Sequence, residues 1–181
     1  MAGVLVLLSS CGAGKGVAES SPETSELTVS STSINSEGKL LTKTAANRAP
    51  NSPAGSNESP QVSWNAVDGC ACYAVMMFDE DADWLHWVVT DIAKTSLEQG
   101  EYTDEKVYVG PYPPSMAGRH NYRIEVFALK QAPAAQLTGK LDTGTSYDKL
   151  VSSLDETDGK AGNILARGHI TGSYANGDDT Q

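Results

Sequence analysis

The sequence predicts a mainly β protein, an antiparallel β-sandwich with one or two short helices. Three kinds of segment support this prediction: short stretches in which apolar residues alternate with polar ones, one continuous apolar run of strand length, and β-branched or aromatic runs between turns. The strand–helix–strand rhythm of parallel sheets is missing from the sequence. At 181 residues, the chain has the length of one domain with a substantial core.

The first four strands are predicted from the placement of apolar residues. Leu27 and Val29 alternate with polar neighbours, as in a half-buried strand, and 62–64 is expected to form the next one. The continuous apolar run 73–78 is typical of a strand that is buried on both faces. Residues 85–92 are β-branched and aromatic, which favours a strand directly after an acidic turn.

Two further strands and one helix complete the predicted fold. Strands are expected at 122–128, where side chains alternate in character, and around 164–170. Thr145 and Asp148 fit a variant capping box, with Asp in place of Glu or Gln. Because apolar residues within 147–154 fall at helical spacing, we expect a helix there.

The N-terminus carries a segment that resembles the cleavage box of a bacterial lipoprotein. Leu8-Ser9-Ser10-Cys11 offers an aliphatic residue, two small residues and a thiol that accepts the lipid. This predicts an exported protein, anchored by lipid to the outer face of the bacterial cell membrane. The usual basic n-region is missing, so an ordinary apolar N-terminus with an incidental cysteine is the alternative.

Four regions follow from these patterns. Residues 1–11 form the signal segment that ends at Cys11, and 12–26 are rich in Gly, Ser, Glu and Thr, as in a flexible tether. Residues 27–174 form the folded domain, and the polar residues 175–181 form a tail that we expect to fray.

The remaining cysteines and aromatic residues are interpreted as structural. Cys70 and Cys72 are expected to be small, partly buried residues at the start of a strand, and a disulfide between them is the less favoured alternative. Trp64 and Trp87 are expected in the core. His169 lies on the polar face of its strand and is expected to be solvated.

The charge of the chain excludes two classes of partner. The formal net charge is −10, with only 13 basic residues. An acidic surface repels phosphate backbones, so we expect no nucleic-acid binding. No cluster of Lys or Arg is present to attract anionic lipid, so membrane contact is expected through the lipid anchor only.

Two of the three histidines stand beside unusual sequence. Asp79 and Asp81 follow the buried apolar run, and His86 opens the next strand after a short turn. The proline-rich loop 110–114 precedes His120-Asn121-Tyr122, which opens the strand after it. A loop with this much proline is held in one shape, which preorganises whatever it lines.

In this order, these motifs resemble the phosphatidylethanolamine-binding protein family, in its bacterial Raf-kinase-inhibitor-like branch. Supporting matches are Val126–Leu129 after the second histidine and Thr171–Tyr174 near the end. The similarity runs from about Leu27 to Tyr174.

The resemblance implies a β-sandwich with a small anion pocket at one end. Carried over onto this sequence, the implied pocket residues are Asp79, His86, Gly110, Pro111, His120 and Tyr122. The chain departs from the family pattern at Glu80, which replaces a proline, and in the turn 81–86, which is short. Both departures affect the expected rim of the pocket.

The chemistry of these residues also favours an anion site. Two imidazoles and the backbone N–H of Gly110 are able to donate hydrogen bonds to phosphate-like oxygens, and histidine can be charged near neutral pH. We expect Asp79 to keep a histidine protonated and to fix its tautomer. Asp81 is expected either to share that role or to bind the ammonium of a zwitterionic headgroup. Binding is then expected to weaken as the pH rises through the histidine pKa values.

The sequence leaves three functions open. The leading one is a non-enzymatic binding protein without a cofactor, which takes a small anionic or phosphorylated ligand and acts as an inhibitor or modulator of a partner protein. The second is a metal-dependent hydrolase, whose metal ligands would be Asp79, Asp81, His86 and His120. The third is a structural or protein–protein role with a vestigial pocket.

Overall fold

The computed structural model describes residues 25–133, 141 and 146–181. The described residues form two β-sheets and one α-helix. The five-stranded sheet has the order β1 (Ser25–Glu26), β8 (Ile164–Ala175), β7 (Arg119–Leu129), β4 (Cys72–Asp79), β5 (Trp84–Ile92). The three-stranded sheet has the order β2 (Val29–Ser30), β3 (Val62–Trp64), β6 (Ser96–Leu97). The helix α1 spans Tyr147–Asp155.

The pairing of the strands is antiparallel, apart from the two-residue parallel pair of β1 with β8. The predicted antiparallel β-sandwich is therefore confirmed. The strands predicted at 62–64, 85–92, 122–128 and 164–170 are present, and the last two are longer than predicted. The strand expected around Leu27 divides into β1 and β2, with Leu27 buried between them.

The core has two layers because β4 is buried on both faces. Val75 and Met77 point into the cluster between the two sheets, together with Trp64 and Trp87. Met76 and its alternate neighbours pack into a second cluster, which α1 covers through its own leucines. The continuous apolar run at 73–78 is explained by this double burial.

The helix begins at Tyr147, where the apolar spacing predicts it, but its cap lies one residue later than expected. Ser146 is the N-cap, and its side chain accepts a hydrogen bond from the Lys149 N–H at 3.4 Å. Thr145, the expected cap, lies outside the described residues. Within the described ranges, no helix is long and apolar enough to cross a membrane.

The polar tail, which we expected to fray, makes hydrogen bonds with distant segments. Asp178 forms two hydrogen bonds with the Arg119 guanidinium, each of 2.8 Å. The backbone N–H of Thr180 donates to the Thr42 side chain at 2.7 Å, and the Thr42 N–H donates back to the Thr180 carbonyl. The tail is held because its polar groups find partners on distant segments.

The two cysteines of the domain are free. Cys70 packs against the core between the sheets, whereas Cys72 belongs to the cluster beneath α1. Because their side chains serve opposite faces, no disulfide joins them. Cys11 and residues 12–24 of the expected tether lie outside the described residues.

Candidate ligand-binding site

The site forms at the end of the central strand β4, where three strands bring their polar residues together. Asp79 is the last residue of β4, and it is paired with Trp84 of β5 on one side and Tyr122 of β7 on the other. His86 and His120 each lie two residues from these partners. Two residues along a strand return the side chain to the same face, so both rings point toward Asp79.

The two imidazoles meet at one carboxylate. His120 Nδ1 lies 2.8 Å from Asp79 Oδ2, which is a hydrogen bond, and His86 Nε2 lies 4.0 Å from the same oxygen. All three residues are buried: Asp79 is 3% exposed, His120 is 7% exposed and His86 is 2% exposed. The structure therefore brings together the three residues on which the sequence prediction depends.

The other carboxylate oxygen of Asp79 holds the turn that follows β4. Asp79 Oδ1 accepts hydrogen bonds from the backbone N–H groups of Asp81 at 2.9 Å and Ala82 at 3.0 Å. These bonds fix the position of the carboxylate. Asp79 thus shapes the turn and forms the floor of the site.

The Glu80 departure from the family pattern has a structural explanation. The Glu80 N–H donates to the Asn121 carbonyl at 2.9 Å, a bond that proline is unable to make. Its side chain lies 3.5 Å from Arg123 Nε, and it is not among the residues that line the pocket. Glu80 therefore ties β4 to β7 and lies outside the pocket lining.

Asp81 is also placed beside the pocket lining and not in it. Its Oδ2 accepts hydrogen bonds from the Asn121 backbone N–H at 2.6 Å and from the Asn121 side chain at 3.2 Å. The residue is exposed. Its contacts support the start of β7, which carries His120.

The loop that contains Val109 holds the His86 ring in one tautomer. Its Nδ1 lies 2.6 Å from the Val109 carbonyl oxygen, and the Val109 N–H donates to the His86 carbonyl at 2.8 Å. A carbonyl only accepts hydrogen bonds, so Nδ1 carries the hydrogen. Nε2 then faces Asp79 as the second ring nitrogen.

Burial keeps His86 neutral. It lowers the pKa of His86 to about 4, against the opposing effects of the Val109 carbonyl and the Asp79 carboxylate. The sequence analysis expected an imidazole that is charged near neutral pH, and His86 differs because its ring is almost entirely buried.

Tyr122 packs between the two histidines. Its ring centroid lies 5.2 Å from that of His86 in an edge contact and 6.4 Å from that of His120 in a stacked contact. Burial, followed by the nearby Asp79 charge, raises the pKa of the Tyr122 phenol, which stays protonated. Its buried hydroxyl has no hydrogen-bond partner in the part of the chain that the structure describes.

Gly110 supports the pocket because its lack of a side chain lets two backbone segments approach closely. It is not placed as a hydrogen-bond donor to a ligand. Its N–H donates to the buried Asn57 Oδ1 at 2.9 Å, so this group is already used. A Cβ atom at Gly110 would lie only 2.3 Å from the Thr44 carbonyl oxygen. The expectation that this N–H faces an anion is therefore not met, and the position requires glycine for close backbone approach.

Pro111 joins two loops behind the rim. Its carbonyl oxygen accepts hydrogen bonds from the Asn51 side chain at 2.8 Å and from the Ala46 N–H at 3.0 Å. Neither Gly110 nor Pro111 lines the pocket itself. Both hold the proline-rich loop against the segment 44–51.

The pocket has apolar walls over a polar floor. It encloses about 360 Å³, with Asp79, His86, His120 and Tyr122 at its base. Part of the walls comes from the proline-rich loop that the sequence analysis singled out, through Tyr112, Pro113 and Pro114. The sequence analysis missed Ala49, Pro50 and Trp84, and for the first two the prolines of their own loop were the available signal.

The described residues give no support to the metal-ligand hypothesis. No group of three or more His, Cys, Asp or Glu side chains suited to a metal ion occurs within ranges 25–133 and 146–181. Asp81, the fourth expected ligand, is hydrogen-bonded to Asn121 instead.

The buried aspartate and the two histidines at the floor of an apolar pocket, at one end of a β-sandwich, form the candidate ligand-binding site. The chain belongs to the phosphatidylethanolamine-binding protein family, whose model matches residues 30–175. The family resemblance drawn from the sequence is thereby confirmed.

Relatives and solved structures agree with this assignment. A UPF0098 protein of Methanothermobacter thermautotrophicus is 31% identical over 144 residues, which cover 68% of this chain and 86% of the relative. A putative odorant-binding protein A5 of Drosophila melanogaster is 31% identical over 109 residues, covering 55% of this chain and 45% of that protein.

Two crystal structures show the same fold. Escherichia coli YbcL, described as a member of the mammalian family, matches with a TM-score of 0.63 and 23% identity, over 83% of this chain and 99% of YbcL. A putative phosphatidylethanolamine-binding protein homolog from Chlamydia trachomatis matches with a TM-score of 0.61 and 18% identity, over 82% of this chain and 97% of that one.

Proposed function

We propose that this protein is a non-enzymatic binding protein whose pocket takes a small ligand with a phosphate-like or phospholipid-headgroup-like group. The observation that carries the proposal is the buried Asp79–His120 pair, with His86 beside it, at the floor of an open pocket. Membership of a family of binding proteins supports the same role.

The division between floor and walls favours recognition of an amphiphilic ligand. The apolar walls lower the local dielectric, which strengthens each hydrogen bond to the floor. A pocket of about 360 Å³ leaves room for an apolar substituent beside a phosphate-sized group. The polar floor then orients the ligand, and the walls bind its remainder.

The arrangement lacks the pairing that nucleophilic catalysis needs. Ser115 is the serine at the rim, and its Oγ accepts a hydrogen bond from the Asn176 side chain at 2.8 Å. In the described part of the chain, its hydroxyl has no hydrogen bond to either pocket histidine. An activated serine requires a base within hydrogen-bond reach.

Titration with inorganic phosphate and with phosphoethanolamine tests the proposal. We expect the ring resonances of His86 and His120 to shift in NMR spectra at about pH 6, while those of the exposed His169 stay in place. His120→Ala should abolish the response, because it removes the ring that faces both Asp79 and the pocket.

His169→Ala is the matched control, since it removes a histidine outside the pocket and should leave the response intact. Unchanged His86 and His120 resonances at millimolar ligand in the parent protein would contradict the proposal. Any inhibitory or modulatory action on a partner protein is proposed to act through this pocket, so the partner and ligand should compete.

A membrane anchor at Cys11 is the second part of the proposal. In Triton X-114 partition of the full chain expressed in a bacterium, we expect the protein in the detergent phase and Cys11→Ala in the aqueous phase, because the lipid supplies the apolar area. Cys70→Ala keeps the anchor cysteine and should stay with detergent. Equal partition of Cys11→Ala and the parent protein would rule out the anchor.

A further inference from the structure

We infer that the pocket selects ligands whose anionic group still carries a hydrogen, such as the monoanion of a phosphomonoester, over anions of equal charge and shape that carry none, such as a sulfate ester. This inference rests on the proposed function and names the chemical class of ligand for the same site. It comes from the hydrogen-bonding character of the pocket floor.

The first step is the tautomer of His86. Its Nδ1–H is committed to the Val109 carbonyl at 2.6 Å, and the ring is only 2% exposed. The neutral ring therefore presents a bare lone pair on Nε2. At this position the floor accepts a hydrogen bond and does not donate one.

The second step is the partner of that lone pair. Asp79 Oδ2 lies 4.0 Å from His86 Nε2, beyond hydrogen-bond distance, so neither atom satisfies the other. The carboxylate oxygen already accepts from His120 Nδ1 and keeps a second lone pair. One ligand O–H placed about 2.8 Å from either acceptor supplies the missing donor.

An anion without a hydrogen is able to accept from the Tyr122 hydroxyl, which is unpartnered among the described residues, but it places its other lone pairs against these two acceptors. A buried acceptor left without a donor loses its solvation and gains nothing in return. Sites built around a specific hydrogen bond reject analogues that lack the hydrogen much more strongly than they reject small differences in apolar shape.

The other titratable groups that face His86 leave its ring neutral and its Nε2 a hydrogen-bond acceptor. Tyr122 from β7 and Tyr112 from the rim loop surround the ring, and burial raises the pKa of both phenols, which stay neutral. Asp79 from β4 and His120 from β7 complete its titratable neighbours. Arg48 lies 5.3 Å from the centre of the Tyr112 ring and is paired with Glu105.

The pH at which a phosphate ester and a sulfate ester are best compared follows from the pKa values of His86 and of the ligand. Burial lowers the pKa of His86 to about 4, and the second pKa of a phosphomonoester is about 6. At about pH 5, most of the ligand therefore keeps its hydrogen while most of the His86 ring stays neutral.

The experiment is calorimetric titration of the protein with phenyl phosphate and phenyl sulfate at about pH 5. Both are then monoanions with the same ring, which suits the apolar walls, and they differ by one O–H. We expect phenyl phosphate to bind at least about tenfold more tightly. In buffers of different ionisation enthalpy, phenyl sulfate should bind with uptake of up to about one proton and phenyl phosphate with almost none.

His86→Asn separates the two roles of the ring. The asparagine amide offers an N–H near the former Nδ1, toward the Val109 carbonyl, and removes Nε2, so the preference for phosphate over sulfate should fall to about onefold. His169→Ala should keep the preference. Equal affinities in the parent protein, without proton uptake for the sulfate, would overturn the inference and leave the proposed function standing. Failure of both ligands to bind would overturn the proposed function and the inference with it.

Discussion

Replacement of Gly110 by alanine is expected to lower the free energy of unfolding by at least about 3 kcal/mol and to abolish ligand binding. The new Cβ atom would lie 2.3 Å from the Thr44 carbonyl oxygen and 2.6 Å from the Ala46 backbone nitrogen, contacts that only backbone movement relieves. That movement stretches the bond from the Gly110 N–H to buried Asn57. It also displaces Val109, whose carbonyl holds His86.

Gly118→Ala is the matched control for this change. A Cβ atom at Gly118 meets nothing within 4 Å, but the residue has a φ of +80°. We therefore expect a cost of only about 1 to 2 kcal/mol, from backbone strain alone. Denaturant unfolding measures both variants, and equal losses of stability would show that close backbone approach is not what position 110 requires.

The second large effect is a loss of stability in acid that originates at His86. Burial lowers its pKa from the ordinary 6.5 to about 4 in the folded protein. As the pH falls below about 6.5, the unfolded chain binds a proton that the folded protein refuses. The stabilisation is thus fully present above about pH 6.5, and about 3 kcal/mol of it is lost by pH 4.

The measurement is the free energy of unfolding at several pH values between about 7 and 4, for the parent protein and for His86→Asn. The variant has no group with this difference in proton affinity, whereas all other titrating groups are kept. Its stability should therefore fall less steeply across the range. Parallel curves for the two proteins would contradict a neutral, buried His86.

Most strands of the two sheets could be predicted from the sequence, because the apolar pattern of each of them lies in consecutive residues. The run at 73–78 is apolar without alternation since both faces of β4 are covered, and this pattern is visible without coordinates. The nearness of Asp79 and His86 was also accessible, because only a short turn separates their strands. The approach of His120 was implied by the family resemblance, and β7 brings it about by pairing with β4.

The acid–base state of the site was not accessible, because it depends on packing. The neutral form of His86 follows from the burial of its ring, which packs against Tyr112 and Tyr122. Its tautomer follows from the Val109 carbonyl, which lies 23 residues further along the chain. A histidine that is expected to lie beside a carboxylate gives the opposite expectation, a charged ring.

Contacts between loops that are distant along the chain could not be predicted from the sequence either. Gly110 was expected to offer its N–H to an anion, but that N–H is bonded to Asn57 and the residue is confined by segment 44–46. The tail was expected to fray because nothing in its own residues identifies Arg119 as the partner of Asp178. Loops have no periodicity that would indicate such partners.

The pocket is divided between two kinds of backbone, and this division has an evolutionary consequence. Its base lies on β4, β5 and β7, where ladder bonds hold each residue, whereas Ala49, Pro50 and the proline-rich segment border it from loops. Exchange of those loops during evolution would change the size and shape of the ligands that fit the pocket. The residues at the base, which lie on the strands, would still contact the ligand head group in the same way.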